Sequence, residues 1–177
     1  MRPSRAGAWA GVALVLAFLL ALRAFVLAPF VVRGESMSPT LAGGEEVLVD
    51  KLAYVLSSPR PGQIVVFRPP LPGARVDYVK RVVAVGGETV GMVRGRLYVN
   101  GRPVREPYVR RRGAASYPTV LVPPGDVFVL GDDRPVSLDS RYFGPVPVRD
   151  IVGQVVLGLW PARRLGPVGA AGGTGGG

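Results

Sequence analysis

The chain has 177 residues, a net charge of +10, and neither histidine nor cysteine. That inventory excludes a Ser-His-Asp triad, a thiol nucleophile, zinc held by His or Cys, and disulfides, which leaves the redox compartment open. The length suits one domain with a real core, and 18 prolines and 25 glycines among Val-rich runs point to short strands and turns rather than a helical bundle. The basic excess suits anionic lipid headgroups or nucleic acid, and equally well a solubilising Arg-rich surface. Only Lys51 and Lys80 among the 22 basic side chains are lysines. For acyl transfer there remains a hydroxyl nucleophile activated by a carboxylate or a neutral amine, and arginine cannot be that amine because it stays protonated.

Residues 6–22 carry no charge, and after Arg23 the chain is apolar again from Ala24 to Val32. With Arg23 snorkelling to the interface, this stretch is long enough to span a bilayer. A cleaved signal peptide competes, but Pro29 follows the spacing Val26-x-Ala28 and is a poor residue at a scissile bond, which favours an uncleaved anchor. Arg2 and Arg5, with no acidic residue before Glu35, predict a cytoplasmic N-terminus. The expected layout is a short cytoplasmic N-terminus at 1–7, a transmembrane anchor at 8–28, an extracytoplasmic domain at 29–163, and a disordered Gly-rich tail at 164–177.

Beyond the anchor, residues 45–55, 63–68, 76–85 and 126–131 read as β-rich segments separated by Pro/Gly clusters. Asn100-Gly101 stands where a tight hairpin turn needs it. Residues 88–124 read as a small β insertion with mobile loops, and no long amphipathic helix is expected in the extracytoplasmic part.

Three stretches hold candidate chemistry. Ser36 lies in GESMSPTL, where Gly34 and Pro39 predict a constrained turn presenting the hydroxyl. Alone this decides little, since most loop serines cap or solvate. In VDYVKRVVAV, period-two alternation puts Val76, Tyr78, Lys80, Val82 and Ala84 on one face, with Arg81 on the face that holds Asp77. An amine among Val and Tyr side chains is desolvated and its pKa falls, so that it can accept a serine proton. On this segment alone, an edge lysine that snorkels to water is the simpler reading. The third stretch, GDDRPVSLDSRYFGPVP, is a dense polar loop that either braces a neighbouring site or closes on itself.

Taken together and in this order, GESMSPTL, EEVLVDKLAY, YVKRVVAVGGE and GDDRPVSLDSRYFG behind a segment ending RAFVLAPFVV resemble the bacterial type I signal peptidases, membrane-anchored serine proteases that remove signal peptides from exported proteins. The resemblance covers about residues 20–160. It implies a mainly β fold: an antiparallel β-sheet catalytic domain of the signal-peptidase type with a small β insertion, preceded by one transmembrane helix. It also implies Ser36 as nucleophile and Lys80 as general base, with Ser137 hydrogen-bonded to the Lys80 amine. Asp139 and Arg141 would form a supporting ion pair, with Asp132 holding the loop. Pockets for small side chains would involve Phe30, Val32, Met37, Leu41, Val47, Tyr78 and Val79, favouring Ala at the first and third positions before the cut.

The resemblance further implies no cofactor and no metal, signal peptides and membrane lipids as partners, no nucleic-acid partner, and a single-pass location in the cell membrane. The sequence departs from the family at Gly34, where some members carry a hydroxyl residue that helps the oxyanion hole. It departs also at Asp133, where Asn is usual, and at Gly86, where Pro is usual. A self-cleaving Ser/Lys regulator is the nearest rival, but an apolar anchor stands where it would need a DNA-binding domain. A non-catalytic, membrane-tethered basic module fits the charge and leaves Ser36, Lys80 and Ser137 unexplained.

Overall fold

The computed structural model describes residues 26–55, 57–161 and 166–168, together with positions 9, 11, 12, 14 and 15. Most of the anchor expected at 8–28 lies outside these residues. Among the described residues no helix is long and apolar enough to cross a membrane. One boundary shifts: Leu27 and Ala28 already belong to strand β1 (Leu27–Val31), where they lie opposite Asp50 and Val49 of β2 (Glu46–Asp50). Pairing with β2 satisfies their backbone groups, so the segment up to residue 28 is not continuous helix.

The fold is mainly β and antiparallel. β3 (Ile64–Phe67), β4 (Tyr78–Val85), β9 (Asp126–Leu130), β10 (Val146–Pro147) and β11 (Ile151–Trp160) join the first two strands in one sheet of order β1-β2-β11-β3-β4-β9-β10, with β12 (Gly166–Pro167) added beside β11. That last pairing puts regular structure inside the segment read from the sequence as a disordered tail from 164; the residues after 168 lie outside the described part. A second, four-stranded sheet of order β7-β6-β5-β8 is built from β5 (Thr89–Val93), β6 (Arg96–Val99), β7 (Arg102–Pro103) and β8 (Tyr117–Leu121). β6 and β7 are joined by Asn100 and Gly101, both at positive φ, as a two-residue hairpin requires.

The central strands are buried on both faces, which explains their unbroken apolar runs. In β3, Ile64 and Val66 enter a cluster with Val32, Met37, Leu41 and Val79, while Val65 and Phe67 pack with Val82, Val127 and Val129 on the opposite face. The second sheet docks through Val90, Met92 and Leu97 against Val83, Phe128 and Leu130. A register shift between Val82 and Ala84 moves Ala84 into this last cluster, off the face it was expected to share with Lys80. The β-rich reading of 45–55 is also shortened. Asp50 Oδ1 accepts the Leu52 amide at 2.9 Å and turns the chain, so 51–55 are turns.

Candidate active site

Ser36 sits in the turn that follows β1. Gly34, at φ 76°, takes a left-handed conformation that side-chain-bearing residues rarely adopt, and the Ser38 amide donates to the Glu35 carbonyl at 2.9 Å. Met37 is buried in the first core cluster and anchors the turn. The Ser36 hydroxyl lies 2.8 Å from Lys80 Nζ, across 44 positions of sequence.

Lys80 is 4 % exposed. Its Nζ folds back to donate to the Val79 carbonyl at 3.0 Å and stands 5.3 Å from the Tyr78 ring centroid. Burial lowers its pKa from 10.5 to about 8, partly opposed by the negative charges of Asp139 and Asp132. No carboxylate comes within ion-pair distance of it among the described residues. A depression of that size penalises the charged form by about 3 kcal/mol, a cost that one or two fully buried aliphatic side chains offset. The sheet therefore tolerates one unpaired buried amine.

On the other side of the site, the polar stretch from Gly131 to Phe143 forms a clamp. Asp139 caps a single helical turn, Ser140–Phe143. Its carboxylate takes both Arg141 Nε at 2.7 Å and Nη2 at 2.8 Å, and also the Gly131 amide at 3.1 Å. Arg141 Nη2 further donates to the carbonyls of Arg134 at 2.7 Å and Ser137 at 3.2 Å. Asp132 receives Arg81 Nε at 2.9 Å and Nη2 at 2.6 Å, and accepts from the Thr40 hydroxyl. Arg81 was read on the strand face that holds Asp77; its ion-pair partner is Asp132, since the pairing of β4 with β9 brings the end of β9 beside it.

Ser137 is buried, and its hydroxyl has no hydrogen-bond partner. The bond expected from Ser137 to the Lys80 amine is thus not made in this structure. What holds Ser137 near the dyad is contact with Gly131. A Cβ at position 131 would lie 2.2 Å from Ser137 Oγ and 2.5 Å from the Ser36 carbonyl oxygen. Only glycine lets these two serine segments meet there.

Beside the dyad opens a cavity of about 380 Å³ walled by Phe30, Val32, Met37, Tyr78 and Val79. Two residues expected in this wall do not reach it. Leu41 and Val47 are buried behind Val32 and Met37, in the core cluster that supports the floor. The cavity gains instead Val76, Val136 and Leu138, with Asp77 at its edge. β4 pairs with β9 only from Arg81 onward, so Tyr78–Lys80 has no strand neighbour on that side, next to the cavity. Among the described residues no group of carboxylates could hold a metal ion.

Sequence reasoning missed Arg81, Thr40, Gly131, Glu106, Tyr108 and Arg134. Only Arg81 and Arg134 left a trace, as charged residues inside otherwise informative motifs.

A hydroxyl and a buried amine lie in hydrogen-bond contact at the mouth of a small apolar cavity on an antiparallel sheet, an arrangement in which a neutral amine can take the hydroxyl's proton. Residues 5–160 match the signal peptidase, peptidase S26, family. A probable signal peptidase I-1 of Synechocystis is 39% identical over 165 residues, covering 90% of this chain and 83% of that protein. A signal peptidase I of Bacillus caldolyticus is 40% identical over 158 residues, covering 81% and 85%. The crystal structure of a signal peptidase I from Enterococcus faecalis superposes with a TM-score of 0.51 at 31% identity, covering 56% of this chain and 98% of that one. This chain belongs to the signal peptidase family, peptidase S26.

Proposed function

We propose that Ser36 and Lys80 are the nucleophile and general base with which this signal peptidase, a serine endopeptidase, cuts signal peptides from preproteins after small residues. The observation that carries the proposal is the 2.8 Å contact between the Ser36 hydroxyl and an amine held near pKa 8 by burial. With that pKa, about a tenth of the amine is neutral at pH 7. The neutral amine takes the Ser36 proton as the hydroxyl attacks the scissile carbonyl. The resulting ammonium returns the proton to the leaving amine, and a water deprotonated by Lys80 then hydrolyses the acyl-enzyme. The Ser36 N–H is the first oxyanion donor, and a second comes from elsewhere than position 34, which is glycine.

The substrate lies extended beside Tyr78–Lys80, adding a strand where β4 lacks a neighbour. Phe30, Val32, Met37, Tyr78 and Val79 leave room for Ala-sized side chains at the first and third positions before the cut. Asp139, Arg141 and Asp132 keep the loop around Ser137 in place, and Ser137 orients the amine once substrate excludes water.

The chain acts in the cell membrane, held by a single N-terminal span with a cytoplasmic N-terminus and an extracytoplasmic catalytic domain. Ten residues from Val26, just before β1, to Ser36 reach at most about 35 Å, which leashes the nucleophile to the membrane-proximal end of the domain. Val31, Glu46 and Trp160 are neighbours in register at one end of the sheet, and the first and last are exposed apolar side chains suited to lipid.

The test is incubation of the detergent-solubilised full chain with a preprotein. Cleavage by the wild type, and none by Ser36→Ala or Lys80→Ala, is the expected result. Cleavage by either variant near the wild-type rate would overturn the assignment of the dyad.

A further inference from the structure

Glu106 belongs to the segment between β7 and β8 of the four-stranded sheet, outside the motifs that define the family resemblance. It is nevertheless 1 % exposed, and its carboxylate holds both terminal nitrogens of Arg134, which is also 1 % exposed. Arg112 Nη1 at 3.3 Å and the Tyr108 hydroxyl at 3.4 Å add to the same carboxylate. Burial, reinforced by Glu106, pushes the Tyr108 phenol well above its ordinary pKa, so it stays a neutral donor. Arg134 Nε in turn donates to the Gly131 carbonyl at 2.9 Å. Gly131 is thus gripped at both ends, its amide by Asp139 and its carbonyl by Arg134, at the point where a Cβ would run into Ser36 and Ser137.

Two residues away, the Tyr108 ring lies 4.0 Å from the Arg81 guanidinium. Arg81 follows Lys80 in β4 and ties Asp132 to Thr40, four residues past the nucleophile. The segment Glu106-Pro107-Tyr108 therefore touches both arginines that set the walls of the dyad.

We propose that the strap Glu106–Tyr108 of the four-stranded sheet positions the Ser36–Lys80 dyad, with Glu106 acting through Arg134 on Gly131 and Tyr108 acting through Arg81 on Asp132 and Thr40. The proposal rests on the reading of Ser36 and Lys80 given above. In physical terms, Glu106 is the counter-charge that lets a cation be buried behind the active loop. Without it Arg134 is an uncompensated buried charge that must move toward water, releasing the Gly131 carbonyl. Tyr108 offers a flat face that fixes the plane of a bidentate guanidinium. A displacement of about 1 Å at the dyad is enough to cost on the order of a hundredfold in rate.

The test measures kcat and KM for preprotein cleavage by the full chain in detergent, together with Tm, at a temperature well below every Tm. Glu106→Gln is expected to lower kcat by roughly 10- to 100-fold with KM within about twofold, and Tyr108→Leu to lower kcat by about tenfold with the same split. The double variant Glu106→Gln/Arg134→Gln removes the stranded cation. It should regain Tm and still turn over slowly, because the bond from Arg134 Nε to Gly131 is gone. Either single variant with wild-type kcat, a rise in KM alone, or a double variant that regains kcat along with Tm would overturn the proposal. Should Glu106→Gln fail to fold, Tyr108→Leu is judged by the same split. Ser36→Ala is run alongside: if it still cleaves, the fault lies with the assignment of the dyad and not with the strap.

Discussion

Lys80 and Arg81 are consecutive on β4 and both almost fully buried, yet the regions they enter treat charge in opposite ways. On the cavity side Lys80 has Tyr78, the Val79 carbonyl and Ser36 for company, with no carboxylate in contact. On the clamp side every buried guanidinium has its own carboxylate: Arg81 with Asp132, Arg134 with Glu106, Arg141 with Asp139. A buried cation with a partner is fixed in its charged form and serves geometry. One left without a partner titrates near neutrality and can serve chemistry. The molecule separates the two tasks over adjacent residues of one strand.

Breaking the cavity side has the largest effect. Lys80→Arg keeps a cation but removes the group that can lose its proton, so kcat should fall by about 10²- to 10⁴-fold, measured by preprotein cleavage. In the wild type, kcat/KM should rise with pH through a midpoint near 8, the pKa of the free enzyme's amine. Next comes the clamp. Asp132→Asn leaves Arg81 buried without its counter-charge and should cost roughly 3–5 kcal/mol, seen as a drop of about 10 °C or more in Tm.

The cavity side should respond to truncation in the other direction. Between pH 8 and 10.5 the unfolded chain still binds the Lys80 proton that the folded chain has released, so Lys80 makes stability rise with pH across that window. Below pH 8 its penalty is fully present. Lys80→Met should therefore be inactive yet more stable at pH 7 by up to about 3 kcal/mol, with that part of the pH dependence gone from denaturant titrations. Gly131→Ala tests the seam between the two regions. Its Cβ would push against the Ser36 carbonyl and Ser137, at a cost of about 1–3 kcal/mol in stability. A normal Tm with normal turnover in this variant would show that the seam is slack.

Much of this contrast was legible before any coordinates. A chain without histidine or cysteine, with Lys80 in an alternating apolar strand and Ser36 in a Gly/Pro turn, narrows the chemistry to a hydroxyl and an amine. The strands at 46–50, 64–67, 78–85 and 126–130 fall inside the segments read as β-rich, but β1 and the long strand β11 were not read, and 51–55 is turns because Asp50 bends the chain with its own side chain. The partners of the buried charges were not legible. Alternation placed Arg81 on the face that holds Asp77 and named no partner for it; its carboxylate comes from position 132, delivered by the β4–β9 pairing. Leu41 and Val47 were placed in the pocket by resemblance, whereas both are buried in the core cluster with Val32 and Met37 and do not line the cavity. Glu106 gave no signal, since one acidic residue in an Arg-rich segment reads as surface.

The sequence by itself determined which atoms could do chemistry and several of the segments that extend, because residue identity and short-range periodicity are local properties. The tertiary structure alone decided which buried charge has a partner, how Ser137 and Ser36 close on Gly131, and that the four-stranded sheet reaches into the active loop. Those outcomes depend on the desolvation and close contact of groups dozens of positions apart, which no local pattern encodes.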